Sequence, residues 1–391
     1  MSRKVLFCAT VDFHFRAFHL PVMEWFKERG WEVHIAARGE LDLPSVDRKF
    51  NISIERSPLR SGNWAAYRQL KDIMKRNDYD IIHAHTPMGG VLARLAAAGS
   101  RKKGTRMLYT AHGFHFCQGS SLASWLLYYP IEKGLSRLTD CLITINDEDY
   151  RLAVGRGFRA GQIEHVHGVG VNTDKFKPAA PAEKERLRQQ SAYGTEEVLM
   201  FYAGEFNGNK NHQLLIRALA RIKDQGAGIK LLLAGEGPLQ EQCRLLASEL
   251  GVAGQVDFLG YRKDIDRLLP LCDAAVSSSL REGLPVNIME AMACGLPVIA
   301  TRNRGHAELV KPGENGYLVE PGTGQEERMA GYMLELSRSS ELRSRMGKKS
   351  LELVQTYNLT SVVKELGSIY IGHMREEESY EAGNQHYHAH I

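Results

Sequence analysis

Apolar residues follow two alternating rhythms along this chain. Short apolar runs, such as VLFCA at 5–9, alternate with longer stretches in which apolar positions return every three or four residues. The first rhythm belongs to strands buried on both faces, the second to amphipathic helices packed over them. Residues 5–9 predict the first strand. A helix follows through Phe18, Leu20, Met23, Trp25, Phe26 and Lys27, ending at Gly30, and 31–36 is the second strand. A strand–helix–strand unit of about thirty residues opens a doubly wound domain. Strands at 80–84, 107–111, 141–145 and 164–167 and helices at 63–76, 87–99 and 121–138 continue it. The last helix carries Trp125, Leu126, Leu127, Tyr128, Tyr129 and Ile131, a stripe that fits a core better than lipid headgroups. After 178 the alternation restarts, with a helix at 183–191 and strands at 198–203, 230–234, 256–259, 274–277, 297–300 and 317–319. Helices at 239–250, 325–337, 341–357 and 359–374 complete it. Two rounds of alternation in 391 residues predict two domains, 1–177 and 178–358, then a final helix and loose polar tail over 359–391.

The second domain contains the stretch that carries the most chemistry, AAVSSSLREGLPVNIMEAMACGLPVIAT at 274–301. It reads as strand, loop, helix, strand. Pro285 suits the first position of the helix because it has no N–H to leave unpaired. Gly295-Leu296-Pro297 stops the helix. The N–H groups and dipole at a helix start favour an anion. Glu282 lies just before that start and Glu290 eight positions on. Each carboxylate can accept from two neighbouring sugar hydroxyls. A nucleotide sugar fits this arrangement, as does an ordinary crossover helix with two solvated glutamates.

Other patterns exclude more than they assign. No G-x-G-x-x-G follows the first strand; Asp12-Phe13-His14 stands there, so a dinucleotide-dependent dehydrogenase loses its main support. Gly204-Glu205-Phe206-Asn207-Gly208-Asn209-Lys210-Asn211-His212 does not meet G-x4-G-K-[ST]. His83 and His85 share a strand face by alternation, with no third ligand at supporting spacing, so no metal site is assigned. The three D-x-D tripeptides at 78–80, 147–149 and 264–266 precede a strand or start a helix and read as caps and turns. His386, His388 and His390 in the tail read as an adventitious metal binder without function.

Composition narrows the setting. With 43% hydrophobic and 25% charged residues the chain is an ordinary globular protein. No apolar run reaches the length of a membrane span, and the N-terminal run breaks too early for a signal peptide. Six cysteines without a C-x-x-C pair suit buried thiols in a reducing cytoplasm. The charge is uneven. Up to Pro178 there are 26 Lys+Arg against 18 Asp+Glu, leaving 24 against 28 beyond. The basic half suits a phosphate-bearing acceptor or the anionic inner face of the cell membrane better than nucleic acid.

Glu-Gly-Leu-Pro-x4-Glu-Ala-Met-Ala-Cys-Gly-Leu-Pro-Val-Ile-Ala-Thr resembles the Glu-x7-Glu signature of retaining glycosyltransferases of family 4. Residues 168–178, GVGVNTDKFKP, resemble that family's interdomain linker. The runs VLFCATVDFHFRAFHLP, LYTAHGFHFCQG and WLLYYPIEKGLSRLTDCLITIN resemble the EpsD type of bacterial exopolysaccharide glycosyltransferases most. The resemblance implies an α/β GT-B fold, two Rossmann-like domains facing across a cleft, with the last helix crossing back to the first. It implies transfer from a UDP-sugar to a saccharide, lipid-linked through a polyprenyl diphosphate, with retention and without a metal or other cofactor. Glu290 would hold the ribose. Glu282 would meet donor-sugar hydroxyls, His112 would orient the sugar, and Lys210 with the N–H groups of Gly283 and Leu284 would hold the diphosphate. Gly204, Glu205, Asn211, Gly260 and Tyr261 fall on donor-side loops, the last two by the uracil. His14 and Arg16 fall on the acceptor-side loop. One departure stands out: Glu205 occupies the family's arginine position, leaving Arg281, Arg302 or Arg304 to supply a second cation. A UDP-sugar epimerase of the same fold and a non-catalytic nucleotide-sugar sensor are the rival readings.

Overall fold

The computed structural model describes residues 2–57, 60–191, 193–225 and 228–374; the tail from 375, with its three histidines, lies outside them. The chain divides into two units, Met1–Gly170 with Thr360–Ile391, and Val171–Leu359.

The first unit is built on seven parallel strands: β1 (Lys4–Val11), β2 (Glu32–Arg38), β3 (Arg48–Asn51), β4 (Ile81–Ala84), β5 (Arg106–Ala111), β6 (Cys141–Thr144) and β7 (Gln162–His165). Their order is β3-β2-β1-β4-β5-β6-β7. Val5 to Ala9 are fully buried because helices cover both faces of the sheet. Strand order reverses between β1 and β4, where a doubly wound sheet opens a crevice beyond its strand ends.

The second unit has six parallel strands: β8 (Val198–Ala203), β9 (Ile229–Ala234), β10 (Val256–Gly260), β11 (Ala274–Ser277), β12 (Val298–Thr301) and β13 (Gly316–Val319). Their order is β10-β9-β8-β11-β12-β13, so its reversal lies between β8 and β11. The core joins Met200, Leu231, Leu233 and Val276 to Leu215, Leu219 and Met333 of the covering helices.

Several expectations change. The helix expected through 18–27 is two, Phe13–Phe18 and Leu20–Lys27, with His19 between them outside helical geometry. Two elements were not anticipated. β3, RKFN, is a polar edge strand without an apolar run. The helix His212–Ile222 buries Leu214, Leu215, Ala218, Leu219 and Ile222, at helical spacing. The expected core stripe at 121–138 splits. Trp125, Tyr128 and Tyr129 pack against the core, but Leu122 and Leu126 stay 74% and 71% exposed and Leu127 and Ile131 are exposed too. Glu132 lies on the buried side with these aromatics and accepts from Arg94 at 2.8 Å.

The division falls at 170/171 rather than after 177. Val171 donates to the Tyr357 carbonyl and accepts from the Leu359 amide, each at 2.9 Å, which ties the linker to the second unit. The last helix, Leu359–His373, buries Val362, Leu366 and Tyr370 in the first unit's core. Tyr370 Oη sits 2.8 Å from His83 Nδ1. All six cysteines are free and buried. The D-x-D residues have structural roles. Asp78 caps a helix in the left-handed region, Asp147 and Asp149 lie in a first helical turn, and Asp264 pairs with Arg262. Among the described residues no helix is long and apolar enough to cross a membrane.

One close approach sets the helix that matters for the site. Helix Ser340–Val354 packs on the end of Val286–Ala293 through Gly347, where a Cβ would fall 2.1 Å from the Gly295 carbonyl oxygen. Ser350 Oγ donates to the Leu296 carbonyl at 2.8 Å alongside. Gly347→Ala is therefore expected to destabilise the second unit by about 1–3 kcal/mol. Denaturant unfolding would show a lower midpoint with an unchanged slope.

Candidate active site

In the second unit, the loops after β8 and β11 leave adjacent strand ends at the switch point. Lys210 belongs to the first loop and Glu282 to the second. The Lys210 ammonium donates to Glu282 Oε1 at 2.5 Å, both side chains being largely buried. The loops are fastened to each other by other groups. Tyr202 Oη lies 2.6 Å from Ser279 Oγ, and Ser278 Oγ donates to the Lys210 carbonyl at 2.8 Å. Asn209 Nδ2 donates to the Arg281 carbonyl at 3.0 Å. Thr301 Oγ1 and Asn303 Nδ2 both donate to the Ser279 carbonyl, at 2.6 and 2.9 Å. None of Tyr202, Thr301 or Asn303 announced itself in the sequence, because each acts by contact with a distant loop.

The helix after Glu282 begins at Val286, one residue later than expected; Pro285 precedes it in extended geometry. Pro285 supplies no side-chain cap, and Asn287 Oδ1 accepts from the Ile288 amide at 3.0 Å. Its start is held to β8 by Asn287 Nδ2, which donates to the Ala203 carbonyl at 2.8 Å. Its first turn therefore combines helix dipole with amide N–H groups, beside Gly283 and the buried Leu284. Helix Arg304–Leu309 approaches the same loop through Gly305, where a Cβ would meet the Gly283 carbonyl oxygen at 2.8 Å. Arg304 Nε donates to the Glu282 carbonyl at 3.1 Å. Of the three arginines considered for a second cation, Arg281 belongs to the Glu282 loop itself and Arg304 is bonded to it. Arg302 is paired with Glu320.

Glu205 is exposed and accepts from Asn207 Nδ2 at 3.0 Å, so it supplies no cation substitute. Gly204 lies against the Lys210 stem, and Asn211 starts the next helix in left-handed geometry, φ 48°. Gly260 accepts from the Gly235 amide at 2.7 Å, and Gly235 itself abuts Gly204. The loops after β8, β9 and β10 are thereby linked, with Tyr261 exposed at their margin.

Glu290 is partly buried in the helix. Burial pushes its carboxyl up to about 7, the nearby Lys175 lowering it and Asp266 raising it further. A desolvated carboxylate of this kind gains from hydroxyl donors that replace lost water.

In the first unit, His112 follows β5 directly and lines a cavity of about 460 Å³ with His14, Thr86, Tyr109, Tyr128 and Glu132 among its walls. Arg16 is exposed over the Phe13 ring and does not line it. The His83–His85 reading changes. Both nitrogens of His83 are engaged, by Tyr370 and by Thr110 at 2.8 Å each. His85 instead meets His14, His19 and His112, giving four ring nitrogens all within 4.8 Å of one another. Sequence spacing missed this group because its members follow three different strands. Burial lowers the pKa of all four, to about 4 for His14 and well below the usual range for the others, so they are neutral.

Residues 22–175 match the family model described as Glycosyltransferase Family 4, and 183–352 the model described as Glycosyl transferases group 1. The chain is 47% identical over 374 residues to EpsD of Bacillus subtilis (strain 168), covering 96% of this chain and 98% of that protein. It is 28% identical over 256 residues to the UDP-Gal:alpha-D-GlcNAc-diphosphoundecaprenol alpha-1,3-galactosyltransferase of Escherichia coli, covering 64% of this chain and 65% of that one. Among solved structures, Anabaena HepE in complex with UDP and glucose superposes with a TM-score of 0.76 at 20% identity, over 94% of this chain and 99% of that one. At that identity the likeness speaks to the fold.

The raised Glu290 pKa carries a sign. The folded state holds this proton more tightly than the unfolded chain, whose value is 4.5. The penalty for ionising Glu290 is absent below about pH 4.5 and complete above about pH 7. Glu290→Gln should leave stability unchanged near pH 4.5 and raise it at pH 8, by up to about 3 kcal/mol. Urea unfolding of both proteins at the two pH values measures this.

Proposed function

The chain belongs to the GT-B glycosyltransferases of the Family 4 and group 1 type, and on that premise we propose that it moves a sugar from a UDP-sugar to a lipid-linked saccharide, with retention of configuration, in exopolysaccharide synthesis. The observation that carries the donor half is the Lys210–Glu282 pair beside the start of the helix Val286–Ala293. An arriving diphosphate offers Lys210 more negative charge than one carboxylate does. The ammonium turns to it, and Glu282 is released to accept from the sugar hydroxyls and to face the developing oxocarbenium charge. Arg304 and the N–H groups of Gly283 and Leu284 share the leaving diphosphate in place of the family's missing arginine. Such donors act because they are fixed before the charge develops. Glu290 takes the two ribose hydroxyls, whose hydrogen bonds favour its ionised form. Gly204, Asn211, Gly260 and Tyr261 shape the nucleotide side, and His112 keeps the role the resemblance implies, a hydrogen bond to a sugar hydroxyl. No metal is needed at the diphosphate in this scheme.

UDP is supported by the Anabaena neighbour, which holds UDP, and by the Escherichia coli relative, which is named for UDP-Gal and a diphosphoundecaprenol-linked acceptor. For the acceptor we assign the cavity of the first unit, where aromatic walls stand beside polar groups and the unit's basic surplus suits a diphosphate. The exposed Leu122, Leu126, Leu127 and Ile131 suit a peripheral contact with a cytoplasmic membrane surface.

Thermal unfolding with a panel of nucleotides and nucleotide sugars, with and without Mg²⁺, tests the donor. UDP at a hundred times its dissociation constant should stabilise the protein by about 2.7 kcal/mol, whether or not Mg²⁺ is present. A shift with another nucleotide alone would move the donor; binding of UDP-sugar without transfer would favour the sensor reading. Lys210→Ala and Glu290→Ala, folded, should each lose about 10²- to 10³-fold in kcat. Wild-type turnover in both variants would refute the roles of Lys210 and Glu290.

A further inference from the structure

Of the four histidines of the first unit, only His112 enters the proposed donor chemistry; His14, His19 and His85 have no part in it. His14 lies in the helix after β1 and His19 at the break between its two helices. His85 and His112 directly follow β4 and β5. β1, β4 and β5 are consecutive in the sheet, so three neighbouring strand ends deliver imidazoles to one point. His14 Nε2 and His19 Nε2 are 3.1 Å apart, and His85 Nδ1 and His112 Nε2 are 3.2 Å apart. A tetrahedron with zinc–nitrogen arms of about 2.0–2.1 Å has edges of about 3.3–3.4 Å. Two opposite edges of such a tetrahedron are therefore nearly formed. His85 is only 1% exposed, yet its Nε2 has no hydrogen-bond partner.

We propose that His14, His19, His85 and His112 form a structural metal site that takes zinc, or another divalent ion that prefers imidazole, in tetrahedral geometry. Four neutral imidazoles with no carboxylate in the group select such an ion over magnesium or calcium, which prefer oxygen. All four positions are filled by protein, so the ion has no open position for substrate and acts on the fold. It clamps the ends of β1, β4 and β5 together. It also has a consequence for His112. A metal on Nε2 fixes the proton on Nδ1, so that nitrogen becomes an N–H donor toward the cavity rather than an acceptor. This proposal does not rest on the Lys210–Glu282 assignment, because no atom of those loops takes part; it shares His112 alone with the donor scheme.

The test uses the full-length protein without an affinity tag, prepared with zinc and dialysed, its metal measured by elemental analysis. About one zinc ion per chain is expected. The same content is expected when His386, His388 and His390 are all replaced by alanine. His14→Gln and His112→Gln, at the two partly exposed positions, should weaken zinc by about a hundredfold or more, since losing a mere supporting partner already costs roughly 10- to 100-fold. Cobalt in place of zinc should give the intense visible absorption of a tetrahedral site in the wild type and not in either variant. Zinc addition to metal-free protein should raise Tm in the wild type and leave folded His14→Gln unmoved. Failure of the wild type to take up zinc or cobalt, unchanged affinity in both glutamine variants, or loss of the metal with the tail histidines would each overturn the site.

Discussion

Everything in this protein depends on where its parallel strands end. A strand buried on both faces must be apolar along its length, so polar chemistry collects just beyond its C-terminal end, where backbone and side chains emerge from under the helices. Both sheets obey this constraint. In the second unit β8 and β11 deliver Lys210 and Glu282; in the first, β1, β4 and β5 deliver four histidines. The two groups differ in kind. One pairs opposite charges that a ligand can part, and the other gathers neutral bases that burial keeps neutral.

The loops around Glu282 are held by groups that never touch a sugar in the proposed scheme. Tyr202, Ser278, Thr301 and Asn303 direct their hydrogen bonds to the loops themselves. Gly305 lets a second helix approach the Gly283 carbonyl. This scaffolding lets a short ion pair persist without ligand. It also explains how Glu205 is tolerated. That residue points its charge to solvent and to Asn207, while Arg304 already sits on the Glu282 carbonyl.

The final helix serves two ends at once. Leu359–His373 leaves the second unit's linker and completes the core of the first, with Tyr370 occupying His83. That hydrogen bond removes His83 from the histidine group and leaves His85 as its inner member. A side chain 287 positions away in sequence decides which of two alternating histidines is structural and which faces the other three.

By itself the sequence determined the two rounds of buried strands and covering helices, because the apolar period is a local property written in every segment. It also determined the order of Glu282, Pro285, Glu290 and Gly295 around the helix start, since all four lie on one continuous strand–loop–helix. It was silent on β3, a polar edge strand that exists through pairing alone, and on the Leu122–Leu135 helix it did not show that Glu132, paired with Arg94, would share the buried face while Leu122 and Leu126 stay exposed. Tertiary structure alone decided that Lys210 and Glu282 hold each other, that Arg304 rather than Arg302 serves their loop, and that four histidines from three strands converge. Those facts depend on which strand ends are neighbours in space, and strand order is set by packing across the whole sheet, beyond the reach of any local pattern.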